Sequence, residues 1–446
     1  MTETSSSSEA QRPWLGRTLL AALALVFVWL AVAPAVAGSK IVLATAGGSP
    51  DWLIGVFRPL GAATLAGSDA GVTYYLPLML SLILWGAVVW LAPSLKEKWL
   101  LWTAIGLQAV FVLAPPLLSQ DVFSYIAYAR LGVEHGLNPY AFRPFDIPGD
   151  PVFGFAGSKD AVDVYGPYYT LLTYPLALIG GPAAFWSLKL VASAACVGLL
   201  LIVRSLAERV GANTKRAIAL LGLSPATLVH VGGGAHNEAL TMLIVFAGIA
   251  LSMSRSDGSR ESTGGFVATL AIGVKASAAV PLVFMLAAAQ RKLAMLLAMI
   301  GAALLTMATA VIFFGSDALN ALNLISSNQD RSSRWSLPHK TVDGLDLLVG
   351  HVDRAAATDV VRGLFTLLLA AVVIYLLRRS WKHPETWLAN AGWATLGVLL
   401  ASAWLVPWYL LWLLPFAALG RSRNLQIASV VFCAYTVAQA LIYLLA

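Results

Sequence analysis

The sequence predicts an all-α polytopic membrane protein, a bundle of about 13 transmembrane helices with short interfacial helices on its outer loops. Three observations lead there. Hydrophobic residues make up 59% of the chain and charged residues 11%, with a mean hydropathy of +0.78, whereas a soluble domain carries roughly 25% charged residues. Apolar runs of membrane-spanning length recur from about residue 15 to the end. Lys and Arg gather in the short segments between alternate runs, as the positive-inside rule requires of cytoplasmic loops. The excess of 29 Lys and Arg over 22 Asp and Glu therefore reports topology, and no nucleic-acid partner is implied. Cys196 and Cys433 both lie within apolar runs, so neither a disulfide framework nor a thiolate metal site is available.

Taken in order, residues 1–14 are polar and Ser-rich and read as a disordered cytoplasmic N-terminus, and 15–446 read as one transmembrane unit. Arg12 and Arg17 precede an apolar run to about Gly38. That run exceeds the roughly 7–15 apolar residues of a leader peptide, which favours an anchor over a cleaved signal. Spans at 74–93 and 99–118 are joined by Lys96-Glu97-Lys98, so the chain emerges outside at Ser119. A first outer loop, about 119–182, contains an apolar piece, 168–180, too short to span and read as an interfacial or re-entrant helix. Spans at 183–203, 217–231 and 239–253 alternate with basic loops at Arg204–Arg216 and Arg255/Arg260 and with an outer turn at 230–238. Residues 264–289 have basic flanks on both sides, and only a hairpin turning near Lys275 keeps both flanks inside. Spans at 293–314, 361–377, 386–403 and 425–445 follow, with a second outer loop at about 315–360 and an outer turn at Val406-Pro407-Trp408-Tyr409.

One polar island stands out, Ser119 to Tyr140. Asp121 opens it, with Tyr125 and Tyr128 at i+4 and i+7 on the same helical face. A carboxylate at a membrane boundary is a functional candidate, and it is equally placed to be a helix N-cap. Lys275 reads either as a snorkelling lysine or as a partner for an anionic substrate. His236, Asn237 and Glu238 read as a capping polar turn rather than a metal site, because no HExxH spacing or third ligand lies nearby. Trp408, Tyr409 and Trp412 read as interface-belt aromatics, with sugar stacking as the alternative. Arg331 and Arg334 could grip phosphate or simply solvate their loop. An outward carboxylate, neighbouring tyrosines and a cation in a hairpin suit an enzyme that takes one substrate from the bilayer and another from the outer side. Sugar transfer from a lipid phosphate is such a reaction. With inversion, one carboxylate serves as general base, and the leaving phosphate needs no acid. A transporter or flippase of polyprenyl-linked sugars would share these features, although no inverted repeat is evident. A non-catalytic subunit of an envelope assembly is a third class.

Asp121 with Tyr125 and Tyr128, Gly136-Leu-Asn138-Pro139-Tyr140, Tyr165-Gly166-Pro167, His236-Asn237-Glu238, Gly273-Val-Lys275 and Pro407-Trp408-Tyr409-Leu-Leu-Trp412 occur in an order that resembles the GT-C superfamily of polyprenol-phosphate-sugar-dependent glycosyltransferases. Within it the chain is most similar to actinobacterial polyprenol-phosphomannose-dependent α-1,6-mannosyltransferases, from about residue 100 onward. Glu238 departs from the pattern, since relatives often carry Asp there. The second outer loop does not align. The resemblance implies a GT-C-type bundle in a bacterial cytoplasmic (inner) membrane, with the N-terminus inside and the active site facing outward. It implies a lipid-linked mannose donor, a cell-envelope glycan or glycolipid acceptor and no cofactor or metal. Asp121 would be the base, and Tyr125, Tyr128, Arg130, Asn138, Tyr140, Tyr165, His236, Asn237, Glu238, Lys275, Arg331 and Arg334 would bind substrates.

Overall fold

The computed structural model describes residues 13–35, 42, 50–60, 70–255, 258–319, 333–350 and 352–445. Among them all regular structure is helical. The longer elements are α1 (Pro13–Val32), α2 (Ala70–Leu91), α3 (Glu97–Leu113), α4 (Asp121–Val133), α5 (Pro167–Ala177), α6 (Gly181–Arg209), α7 (Thr214–Gly222) and α8 (Glu238–Ser252). They continue with α9 (Glu261–Leu270), α10 (Ala279–Ala288), α11 (Lys292–Phe314), α12 (Leu337–Val349), α13 (Arg354–Lys382), α14 (Trp387–Ala401), α15 (Leu414–Leu419) and α16 (Arg423–Leu445). Five stretches are long and apolar enough to cross a membrane: Trp14–Val32, Thr73–Ser94, Gly181–Arg209, Lys292–Leu319 and Arg354–Lys382. These make the chain a membrane protein. The expected N-terminal tail, 1–14, lies outside the described residues up to residue 12, and α1 begins at Pro13.

Several of the other expected spans are shorter or interrupted, whereas 425–445 lies within the 23-residue helix α16. The run 217–231 does not form one lipid-facing helix. Helix α7 stops at Gly222, and after Pro225 the chain continues as a π-helical turn, Ala226–Gly232. Proline cannot donate to the preceding turn, and every residue from Ala217 to Ala239 is buried inside the bundle. Helix α13 starts at Arg354, capped by the Asp353 carboxylate, within the expected second loop of 315–360. The apolar piece 168–180 is the short helix α5, and α4 and α12 are likewise too short to cross.

The loops alternate between two ends of the bundle. At one end, Arg204 Nε bonds Glu97 Oε1 at 2.5 Å, Lys215 Nζ donates to Pro93 O at 3.0 Å, and Arg209 reaches Ala250 O at 3.3 Å. The Glu261 carboxylate, at the start of α9, accepts the Gln290 and Arg291 backbone N–H groups at 2.9 and 2.8 Å. The chain therefore leaves and re-enters the same face, which is the hairpin expected about Lys275. At the other end, Gly166 N–H meets Val274 O at 3.1 Å, Asn138 Nδ2 donates to Phe314 O at 2.6 Å, and Ser333 N–H to Ala403 O at 2.8 Å. Between the ends, α2, α3, α6, α7 and α8 enclose the core around the fully buried Trp85, Phe111 and Phe246.

Candidate active site

Asp121 is the first residue of α4, but it is not the cap. Gln120 occupies the N-cap position, with no side-chain capping bond, and the Asp121 N–H donates to Ser119 Oγ at 3.2 Å. Its carboxylate, 31% exposed, instead lies 3.5 Å from His236 Nδ1. His236 Nδ1 is in turn 3.9 Å from Glu238 Oε2, and the other Glu238 oxygen accepts the Lys275 ammonium. Lys275 also donates to Asn237 Oδ1 at 3.4 Å. Asp121, His236, Glu238 and Lys275 thus form one connected series of ionisable side chains. Glu238 and His236 are wholly buried, and only 16% of the Lys275 side chain is exposed. That excludes the snorkelling reading. A buried carboxylate is tolerated here because a cation sits directly against it.

Aromatic rings wall this series. Trp408 stacks on His236 with centroids 3.9 Å apart and planes 17° from parallel, so it is a wall of the site and not a belt aromatic. Tyr165 and Tyr409 place their rings 5.5 and 5.3 Å from Lys275 Nζ, within cation–π range, and Trp412 backs Tyr409 at 4.1 Å. Both His236 ring nitrogens lack a hydrogen-bond partner among the described residues. Desolvation pushes the Asp121 carboxyl up to about 6; Lys275 pulls it down and Glu238 raises it again. A carboxylate near 6 is ionised at neutral pH yet basic enough to take a proton in a transition state. No group of three His, Cys, Asp or Glu side chains among the described residues could hold a metal ion.

The motifs meet here through main-chain contact. A Cβ on Gly166 would lie 2.3 Å from Gly273 O, and one on Gly273 would lie 2.2 Å from the Tyr168 ring. Only two glycines let the Tyr165 turn rest on the Lys275 hairpin. Tyr125 lies below, its ring edge-on to Tyr165 at 4.8 Å and to Tyr169 at 5.0 Å.

Other expected site residues build the frame around this cluster. Tyr128 donates to Ala161 O at 3.2 Å, and Arg130 Nε binds both Asp150 oxygens at 3.0 and 2.9 Å. Asn138 ties the segment between α4 and α5 to α11, and Tyr140 donates to Tyr165 O at 2.8 Å. Arg334 is exposed, and Arg331 lies outside the described residues.

Sequence reasoning missed Lys189. It is fully buried in α6 and donates to Pro115 O at 3.3 Å and Gly233 O at 3.1 Å. Leu117 N–H meets the same Gly233 oxygen at 3.3 Å. These bonds join the segments that carry Asp121 and His236. Each segment contains a non-glycine residue in the left-handed region, Leu118 at φ 59° and Ala235 at φ 57°, a conformation costing on the order of 1–3 kcal/mol that surrounding contacts must hold. The available signal was a lysine in the middle of an apolar run, which has no reason to be there unless it meets polar groups inside. Asp163 was also passed over; it accepts the Tyr165 N–H at 2.9 Å and the Thr170 hydroxyl at 2.8 Å, and burial raises it to about 7.

A profile described as "Alpha-(1->6)-mannopyranosyltransferase, N-terminal domain" matches residues 14–291, which include Asp121, Lys189, His236, Glu238 and Lys275. The chain belongs to the alpha-(1->6)-mannopyranosyltransferase family. A second profile, "MptB C-terminal domain", matches residues 340–443, so Trp408 and Tyr409 come from the other matched segment. Within this mannopyranosyltransferase family the chain is similar to alpha-(1->6)-mannopyranosyltransferase A of Mycobacterium tuberculosis, 27% identical over 368 residues, 76% of this chain and 65% of the relative. It is also similar to the protein of that name in Corynebacterium glutamicum, 25% identical over 187 residues, 41% of this chain and 37% of the relative. The chain thus spans less than two thirds of the length of these relatives. No solved structure matches it.

Proposed function

We propose that the protein transfers mannose with inversion from a polyprenyl-phosphate carrier to a cell-envelope glycan or glycolipid. The transfer takes place at the outer face of a GT-C-type bundle of about 13 transmembrane helices. The observation that carries this reading is the half-open Asp121 carboxylate, 3.5 Å from His236, at the end of the bundle opposite the basic loops. In the reaction, Asp121 accepts the proton of the acceptor hydroxyl as that oxygen bonds to the anomeric carbon. The bond from that carbon to the phosphate oxygen breaks on the opposite side, and the electron pair leaves with the phosphate. An ammonium has three N–H donors. Lys275 gives two to Glu238 and Asn237, and the third is directed to the donor phosphate. Glu238 holds Lys275 in place, and the Trp408 stack fixes His236 beside the base.

Membranes containing the protein, given radiolabelled polyprenyl-phosphate-mannose and candidate envelope glycans, should form labelled product with the opposite anomeric configuration. Product of retained configuration, or binding of the donor without transfer to any acceptor, would overturn the reading. Orientation has its own test. In intact cells an impermeant thiol reagent should label Asp160→Cys and leave Asn213→Cys untouched; the reverse pattern would place the site inside.

A further inference from the structure

The basic end of the bundle holds a second feature that sugar transfer does not use. Helices α10 and α13 leave an open cleft of about 370 Å³ between them. Val283, Leu286 and Ala287 form one wall, and Leu377 and Trp381 form the other. Arg378 and Lys382 also line it, one turn apart on α13. The neighbouring Lys292 lies 4.6 Å above the Trp381 ring. Val283 and Trp381 are 47% and 60% exposed, so the apolar lining faces the bilayer.

The charges around the cleft are one-sided. Arg291, Lys292, Arg378, Arg379 and Lys382 have no carboxylate partner among the described residues. Of the acids nearby in sequence, Glu261 is turned to the Gln290 and Arg291 N–H groups, and Glu385 lies 3.6 Å from His383. A groove that is apolar along its length and cationic at its rim matches a molecule with a hydrocarbon chain and an anionic head. The membrane itself supplies such molecules.

We infer that this cleft binds an anionic membrane phospholipid, with its phosphate between Arg378 and Lys382 and the upper part of one acyl chain along Val283, Leu286 and Trp381. A guanidinium or ammonium group near a phosphate at a membrane surface is worth roughly fivefold in affinity, so removing both weakens binding roughly 30-fold. The same construction recurs on a smaller scale on this face. There, a cleft of about 130 Å³ lined by Val89, Ile427 and Trp90 carries Arg216 and Arg423 over the Trp90 ring.

The test uses the full chain in neutral detergent, washed free of lipid and titrated with phosphatidylglycerol or with phosphatidylcholine of the same acyl chains. Thermal unfolding is the readout. Phosphatidylglycerol should raise the midpoint and phosphatidylcholine should not, and the Arg378→Gln/Lys382→Gln variant should need roughly 30-fold more phosphatidylglycerol for the same rise. Should that variant fail to fold, Val283→Trp, which fills the cleft and leaves the charges in place, should also blunt the response. Equal responses to the two lipids, an undiminished response in a folded variant, or an equal response to inorganic phosphate would overturn the assignment.

Discussion

The two ends of the bundle both carry charge, and they hold it in opposite ways. At the basic end the cations lie largely on the surface, reaching single carbonyls such as Pro93 O and Ala250 O or resting on tryptophan rings. At the other end Glu238, His236 and Lys275 are buried against one another and against aromatic rings. Surface charges act by their number and sign, and one arginine can stand in for another. Buried charges act by position, since each is tolerable only with its own partner present. The difference separates charges held on the surface from charges fixed by their partners inside the candidate site.

The sharpest way to break that distinction is at Asp121. Asn keeps the size and a hydrogen-bonding oxygen but cannot take a proton. Asp121→Asn should lower sugar transfer by roughly 10²–10⁴-fold, with thermal stability near that of the parent. Activity within a few-fold of the parent would return Asp121 to a structural role.

Lys189 comes next. Lys189→Met keeps the apolar stem but leaves Pro115 O buried without its donor, at a cost of about 1–3 kcal/mol, and leaves Gly233 O with the Leu117 N–H alone. The strained Leu118 and Ala235 segments then lose their common anchor, and kcat should fall on the order of 10²-fold through misplacement of the reacting groups. Donor KM should stay near that of the parent, because Lys189 touches neither Lys275 nor the rings around it. Unchanged kcat in folded protein would count against the anchoring role.

Smaller effects should appear as shifts along the pH axis. With Asp121 as the proposed base, the rate should rise with pH through about 6. Glu238 raises the Asp121 pKa and Lys275 lowers it. Glu238→Gln should therefore move the acid limb to lower pH and Lys275→Gln to higher pH, measured on the activity that remains. The effect on stability has the opposite sense from that of a paired carboxylate. The folded Asp121 holds its proton above the usual 3.8, so its contribution is present below that value and lost as pH rises through about 6. Shifts in the same direction for both variants would refute the charge series.

The smallest effect should come from the opposite end. Arg209→Gln removes one surface contact to Ala250 O and should cost no more than about 1 kcal/mol, with transfer rates unchanged. A large loss of activity there would erase the contrast.

Much of this was legible in the residues themselves. The hairpin about Lys275 followed from basic flanks on both sides, and the short α5 followed from the length of its apolar run. The ordered motifs pointed to Asp121, Tyr165, His236, Glu238 and Lys275, which do meet. Hydropathy alone could not tell lipid from protein interior as the neighbour of an apolar run. For that reason the enclosure of the expected span 217–231 by protein, and its break near Pro225, did not show in its apolar run. For the same reason Trp408 read as an interface residue. Motif membership also could not separate residues that face the cluster from those that brace it. Arg130 is turned to Asp150, and Asn138 to the end of α11.

The bare contact of Gly166 with Gly273 has a consequence for how this site can change. The spacing between Tyr165 and Lys275 is a property of two peptide backbones, so no side-chain exchange can fine-tune it, and any Cβ at either position acts as a wedge. Descendants adapting to a different sugar would have to remodel the rings and loops around that joint while leaving it untouched. A saturation library across the site should show this directly, as tolerance at Tyr409 and Trp412 beside near-total intolerance at the two glycines.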